Sequence, residues 1–152
     1  MKNKPAVPIL VADDDLEDCK ILEEAMKQSK LMNSIHFVHN GEELLSYLRR
    51  EGPFSDDNQF PMPGLILLDW NMPKKSGREA LAEIKKDEKL KHIPVVLLTT
   101  SAAEENIMRA YDLGVNSYVQ KPVGFDSFVT MMRELGHYWF QIVSLPESGQ
   151  HG

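Results

Sequence analysis

Five short apolar runs alternate with amphipathic stretches along this chain, and that alternation limits the folds open to it more than any other feature. The runs are Val7–Ala12 (VPILVA), Ile35–Val38 (IHFV), Leu65–Leu68 (LILL), Val95–Leu98 (VVLL) and Ser117–Val119 (SYV). The first, third and fourth are apolar on consecutive residues, the pattern of strands covered on both faces in a parallel sheet. Pro8 has no N–H to give a ladder and belongs near the start of its strand. The stretches between the runs carry helical spacing. Ile21, Leu22, Ala25 and Met26 share a face in the first, Leu44, Leu45 and Leu48 in the second, and Ala80, Leu81 and Ile84 in the third. Ile107, Ala110, Tyr111 and Leu113 mark the fourth, which opens at Ser101-Ala-Ala-Glu104 like a capping box and closes at Gly114. The fifth begins near Asp126 and carries Phe128, Val129, Met132, Leu135, Trp139 and Ile142. Strand and helix alternating in this way predict an α/β fold, a doubly wound five-stranded parallel sheet with right-handed crossovers.

At 152 residues the chain suits a single domain. We place that domain over 1–145, with a surface loop at Glu51–Gly64, where Pro, Gly and polar residues cluster, and a disordered tail over 146–152. A net charge of −6 argues against nucleic acid as the main partner, since phosphate backbones call for clustered Lys and Arg, but leaves a metal cation open. The lone cysteine, Cys19, has no internal disulfide partner and reads as a packing residue of the first helix. The N-terminal stretch MKNKPAVPILVADDD is broken by two prolines and ends in acids, unlike a signal peptide. No run approaches the roughly 18 apolar residues of a membrane span, so a cytoplasmic protein with no membrane contact is expected.

In open α/β sheets the ligand site lies beyond the carboxyl ends of the strands. Here the first run leads into Asp13-Asp14-Asp15, the third into Asp69, the fourth into Thr99 and Thr100, and the fifth is followed by Lys121-Pro122. Carboxylates gathered on one edge repel one another, and a divalent cation relieves the repulsion. With no His or Cys nearby in sequence, the oxygen-only set suits Mg²⁺ or Mn²⁺ rather than Zn²⁺. The plainer explanation is that Asp14 or Asp15 caps the first helix. It leaves Asp69 unexplained, because that residue precedes a loop (WNMPKKSG). A lysine and a hydroxyl beside such acids are what a phosphoryl group requires, and a carboxylate can itself accept that group. Taken singly, a strand-end Thr is only a good β-former and a Lys before Pro only a turn residue, so the combination carries the argument. The five histidines, His36, His39, His92, His137 and His151, show no metal-ligand spacing and read as structural or solvated.

With these residues in place, the sequence resembles the receiver domain of two-component response regulators. The matching positions are Asp13-Asp14, Asp69, Thr99 and Lys121-Pro122, with intervals of 30 residues from Asp69 to Thr99 and 22 from Thr99 to Lys121. The local contexts agree: Leu67-Leu-Asp-Trp-Asn-Met-Pro73, Gly77, Pro94-Val-Val-Leu-Leu-Thr99 and Leu113-Gly-Val-Asn-Ser-Tyr-Val-Gln-Lys-Pro122. The resemblance implies a flavodoxin-like (βα)5 sheet of order 2-1-3-4-5. It implies Asp69 as phosphoacceptor, and Mg²⁺ on Asp14, Asp69 and the backbone carbonyl of Asn71, with Asp13 acting through a water. It further implies Lys121 bridging to the acceptor, Thr99 and Tyr118 as a coupled switch, Asn71 and Ser101 as positions tuning the phosphate lifetime, and a Lys121-Pro122 bond that is commonly cis. The long Glu51–Gly64 loop, Asn71-Met-Pro-Lys-Lys75 and the aromatic C-terminus look like the stand-alone receivers that partner bacterial phytochromes.

Too few residues follow the fifth helix for a DNA-binding output, so the expected output is a protein-interaction face. Tyr138, Trp139 and Phe140 are consecutive, and at about 100° per residue they cannot all face one core. A homodimer through the fourth-helix and fifth-helix face is the preferred use of that surface, with a sensor histidine kinase as the upstream partner. The chain is expected to be no enzyme beyond its own aspartyl phosphorylation and dephosphorylation. A rival reading takes Asp13-Asp14-Asp15-Leu16 as the start of a haloacid-dehalogenase-type phosphatase, with Asp13 as nucleophile and Asp15 as general acid, and leaves Asp69 idle. A third takes the chain as a phosphate-independent binding module on the same fold.

Overall fold

A computed structural model describes residues 7–28, 33–99, 111–121 and 125–135. The strands are β1 (Ile9–Ala12), β2 (Ile35–Val38), β3 (Leu65–Asp69), β4 (Val95–Thr99) and β5 (Ser117–Gln120). They form one parallel sheet of order β2-β1-β3-β4-β5. The helices are α1 (Leu16–Gln28), α2 (Gly41–Leu48), α3 (Gly77–Lys86) and the C-terminal α4 (Phe125–Leu135). All five expected strands are present, and the order is the one the family resemblance implied. Most of the predicted fourth helix, with its capping box at Ser101, lies outside the described residues. Its end is described: Tyr111 and Asp112 are helical, and Gly114 turns the chain at φ 104° while its N–H reaches the Tyr111 carbonyl. The residues beyond 135, with Tyr138, Trp139, Phe140 and the 146–152 tail, are likewise outside it.

The period-2 alternation of side chains splits the core into two layers. Leu10, Ala12, Ile66, Leu68, Val95 and Leu97 face α2 and α3, where Leu44, Leu45, Leu48, Ala80, Leu81 and Ile84 meet them. Ile9, Val11, Leu65, Leu67, Val96 and Leu98 face the other way, onto Leu22, Ala25 and Met26 of α1 and Phe128, Met131 and Met132 of α4. This explains the unbroken apolar runs: both faces of β1, β3 and β4 are buried, and each fully buried Leu or Ile side chain is worth roughly 1.5–3 kcal/mol.

The helix ends are set by local polar chemistry. Ser76 caps α3 in a reciprocal box, its hydroxyl accepting from Glu79 N–H while the Glu79 carboxylate accepts from Ser76 N–H. Asn40 caps α2 by accepting from the Glu43 N–H, while the Glu43 carboxylate accepts from the N–H of His39, one residue before the cap. The 51–64 segment is exposed along most of its length, yet it is pinned to the fold. It starts with a 3₁₀ turn (Gly52–Phe54), and Phe60 packs edge-on to Phe54 and to Tyr47 of α2 while Phe54 lies tilted against Tyr47, with ring centroids 5.1–5.8 Å apart. The Tyr47 hydroxyl donates to the Pro61 carbonyl.

Candidate functional site

Strand register brings the acids together. Ala12 pairs with Leu68, so the next residues, Asp13 and Asp69, stand side by side at the carboxyl edge. Both continue the alternation that sends Val11 and Leu67 toward α1 and α4, and Lys121 continues it from Val119 on β5. One ligand oxygen from each of Asp13, Asp14 and Asp69 lies within 4.8 Å of the others. Asp13 is fully buried and Asp69 nearly so, while Asp14 is exposed and completes the mouth of the group. Lys121 Nζ sits among the acids, 2.7 Å from Asp13 Oδ2, 3.0 Å from Asp18 Oδ2 and 3.5 Å from Asp69 Oδ2. The contact to Asp13, a fully buried carboxylate, is the closest of the three.

The three consecutive acids have separate duties. Asp15 caps α1, its Oδ1 accepting from the N–H groups of Glu17 and Asp18. Asp13 Oδ1 accepts from Asp15 N–H, which closes the turn and points the remaining oxygen at the pocket. The Asp13 carbonyl is held from two sides, by His39 Nδ1 at 3.0 Å and by the Cys19 thiol at 3.6 Å. Two glycines position the far wall. A Cβ on Gly77 would collide with the Asp69 carbonyl, and one on Gly41 would collide with the Lys75 carbonyl that accepts from Gly41 N–H. Only a bare backbone lets α3 and α2 approach the β3–α3 loop this closely.

Burial, followed by the neighbouring Asp13 and Asp14 charges, pushes the Asp69 carboxyl up to about 7, against the pull of Lys121 and of a hydrogen bond from the Asn71 backbone N–H. Burial works against the Lys121 ammonium, but Asp13, Asp69 and Asp18 outweigh it and hold that group firmly charged. Burial and the Asp13 charge push the Cys19 thiol up to about 12, which makes it a packing residue and no nucleophile. The residues present suit a hard divalent cation: they offer oxygen donors only, and they carry more negative charge than one lysine offsets.

The predicted site residues Asp13, Asp14, Asp69 and Lys121 therefore converge. Asn71 is exposed beside them, with its N–H on the Asp69 carboxylate. Thr99 ends β4 level with Gln120, and its side chain, like Ser101 and Pro122, lies outside the described residues, so neither the hydroxyl placement nor the Lys121-Pro122 isomer is described. Tyr118 points outward, 38 % exposed, with its ring edge-on to Tyr111 at 6.5 Å. The phosphatase assignment fails on geometry: Asp13 spends Oδ1 on the Asp15 N–H, Asp15 spends a carboxylate oxygen on the helix cap, and Asp69 stands beside Asp13 in the pocket instead of idle. Asp18 was missed by sequence reasoning, because an acid in the first turn of a helix is already explained by the helix dipole. Its signal was its spacing: it stands four and seven positions before Leu22 and Ala25, and so prolongs the buried stripe toward the site.

Comparison with known proteins agrees with this geometry. The family model described as "Response regulator receiver domain" matches residues 9–133. Response regulator Rcp1 of Synechocystis sp. is 36% identical over 145 residues, covering 95% of this chain and 97% of its own. The crystal structure of the phosphorylated cyanobacterial phytochrome response regulator RcpA superposes with a TM-score of 0.79 at 39% identity, over 88% of this chain and 93% of that one. The Mn²⁺-bound form of Rcp1 does so with a TM-score of 0.78 at 36% identity, over 88% and 94%. A family match from the first strand into the C-terminal helix, on a sheet of this order with its acids at this edge, makes the chain a member of the response regulator receiver domain family.

Proposed function

We propose that this receiver accepts a phosphoryl group on Asp69 from a sensor histidine kinase in a Mg²⁺-dependent reaction and thereby switches a protein-interaction face. The observation that carries the reading is the buried Asp69 carboxylate, grouped with those of Asp13 and Asp14 and faced by the Lys121 ammonium. Asp14, Asp69 and the Asn71 carbonyl would hold the cation, with Asp13 acting through a water; the Mn²⁺-bound form of a 36%-identical relative supports a divalent cation as the occupant. Bound there, Mg²⁺ supplies neutralising charge to the carboxylates and to the phosphoryl oxygens.

An Asp69 oxygen attacks phosphorus, the bond from phosphorus to the phosphohistidine nitrogen breaks, and its electron pair returns to the imidazole. Lys121 donates to a phosphoryl oxygen and stabilises the charge that Asp69 gains. Thr99 then closes on the phosphoryl group and Tyr118 leaves its exposed position, as a population shift between two states. Asn71 and Ser101 tune the lifetime of the phosphoryl group. RcpA, a cyanobacterial phytochrome response regulator 39% identical to this chain, supports a phytochrome-type kinase as the partner. A homodimer through the face formed by the predicted fourth helix and α4 would read out the switch. Among the described residues no helix is long and apolar enough to cross a membrane, and a cytoplasmic protein is the reading we adopt. Beyond its own phosphorylation and dephosphorylation the chain turns over no substrate.

Incubation with Mg²⁺ and acetyl phosphate, followed by trapping and mass-spectrometric mapping of the modified carboxylate, tests the proposal. Label on Asp69 that disappears with a chelator is the expected result. Label on Asp13, or none on any carboxylate, would overturn it.

A further inference from the structure

Lys121 is held by one carboxylate that stands outside the group able to bind a cation. Asp18 Oδ2 accepts from Nζ at 3.0 Å, whereas Nζ stands 3.5 Å from Asp69. We propose that Asp18 is a positioning residue for Lys121, fixing the rotation of the ammonium so that an N–H is presented to the acceptor side of the pocket; the proposal rests on the reading of Asp69 as phosphoacceptor.

Three observations support this assignment. An ammonium has three N–H donors and no acceptor, and three carboxylates surround it here. The Asp13 oxygen at 2.7 Å is the closest partner, and the hydrogen bond to Asp18 at 3.0 Å is the second restraint on the ammonium, the one that lies outside the cation-binding group. The lysine stem is long and flexible, with about 2 kcal/mol of rotamer entropy, and needs such an anchor to hold one pose. Finally, the anchor is rigid. Asp18 N–H donates to the Asp15 cap, and the helix carrying it is packed on the sheet through Leu22, Ala25 and Met26. A cation on Asp13, Asp14 and Asp69 would leave the Asp18–Lys121 bond in place, so Lys121 could turn its remaining donor to a phosphoryl oxygen without leaving its anchor.

The test uses Asp18→Ala, Asp18→Asn and Lys121→Met, singly and as Asp18→Ala/Lys121→Met, with the rate of Asp69 labelling by acetyl phosphate at saturating Mg²⁺. Asp18→Ala is expected to slow labelling about tenfold, the rate equivalent of one charge-assisted hydrogen bond. Asp18→Asn, which keeps an oxygen acceptor, should slow it less. In the Lys121→Met background Asp18→Ala should add nothing, a dependence that a purely structural role for Asp18 would not produce. Labelling of Asp18→Ala at the wild-type rate, or an equal slowing in both backgrounds, overturns the proposal. Wild-type protein that takes no label on Asp69 instead sinks the phosphoacceptor reading. The tether is then judged on urea unfolding alone: Asp18→Ala should lower the midpoint of wild type and not that of Lys121→Met, and equal lowering overturns it.

Discussion

Lys121→Met removes the positive charge from a pocket of acids while its thioether chain refills the space of the lysine stem. The side chain of Lys121 is 6% exposed, and its closest partner, Asp13, is 0% exposed. Removing one member of a buried pair leaves the other unpaired and costs about 3–5 kcal/mol. Asp18, at 23% exposure, regains water and adds little, so the lower end applies, roughly 3 kcal/mol. With a urea slope of about 2 kcal/mol/M, the unfolding midpoint should fall by about 1.5 M in a chelator at pH 8. Two conditions should shrink the loss. The folded-state pKa of Asp69, about 7, lies above its ordinary value of 3.8, so metal-free protein loses stability as pH rises through that range, and the loss is greater once Lys121 no longer opposes it. At pH 5.5, where Asp69 is mostly protonated, the variant should therefore lie closer to wild type. Saturating Mg²⁺ should also stabilise the variant by at least about 1 kcal/mol more than wild type, because Lys121 no longer competes with the cation. A loss below about 0.5 kcal/mol, or one unchanged by both Mg²⁺ and pH, would refute the reasoning.

Gly77→Ala drives a Cβ into the Asp69 carbonyl, and should cost about 1–3 kcal/mol in urea unfolding and slow Asp69 labelling more than Mg²⁺ can restore. Ser76→Ala removes the reciprocal cap of α3 and should cost about 1 kcal/mol with an unchanged urea slope and unchanged labelling. Cys19 should resist a thiol reagent at pH 8 in the folded protein and react fully in urea, because burial and Asp13 keep it protonated. Phe60→Ala should open the 51–64 loop to limited proteolysis while leaving Mg²⁺ affinity unchanged, since the Tyr47–Phe54–Phe60 cluster lies away from the acids.

Much of the site was legible because it is a strand-end site. Runs of consecutive apolar residues locate β1 and β3 and hence their carboxyl ends, where Asp13 directly follows β1 and Asp69 closes β3, and Lys121 directly follows β5. Less visible was the division of labour among Asp13, Asp14 and Asp15. Both capping and cation binding call for a carboxylate, and only the turn closed by Asp15 N–H on Asp13 separates them. The 51–64 segment has a loop's composition, yet its two phenylalanines find their partner, Tyr47, on a neighbouring helix, a contact no local pattern encodes.

By itself the amino-acid sequence determined which residues enter strands and helices and which chemical groups stand at the strand ends, because hydrophobic period and strand-end position are local properties of the chain. That β1 lies beside β3, so that Asp13 and Asp69 share a pocket, follows from the family resemblance and from no local pattern, and tertiary structure alone decided that Asp18, on a helix packed against that edge, shares Lys121 with them. Those are consequences of strand order and helix packing between residues as far apart as Asp18 and Lys121, where charge, burial and reach act through space and not along the chain.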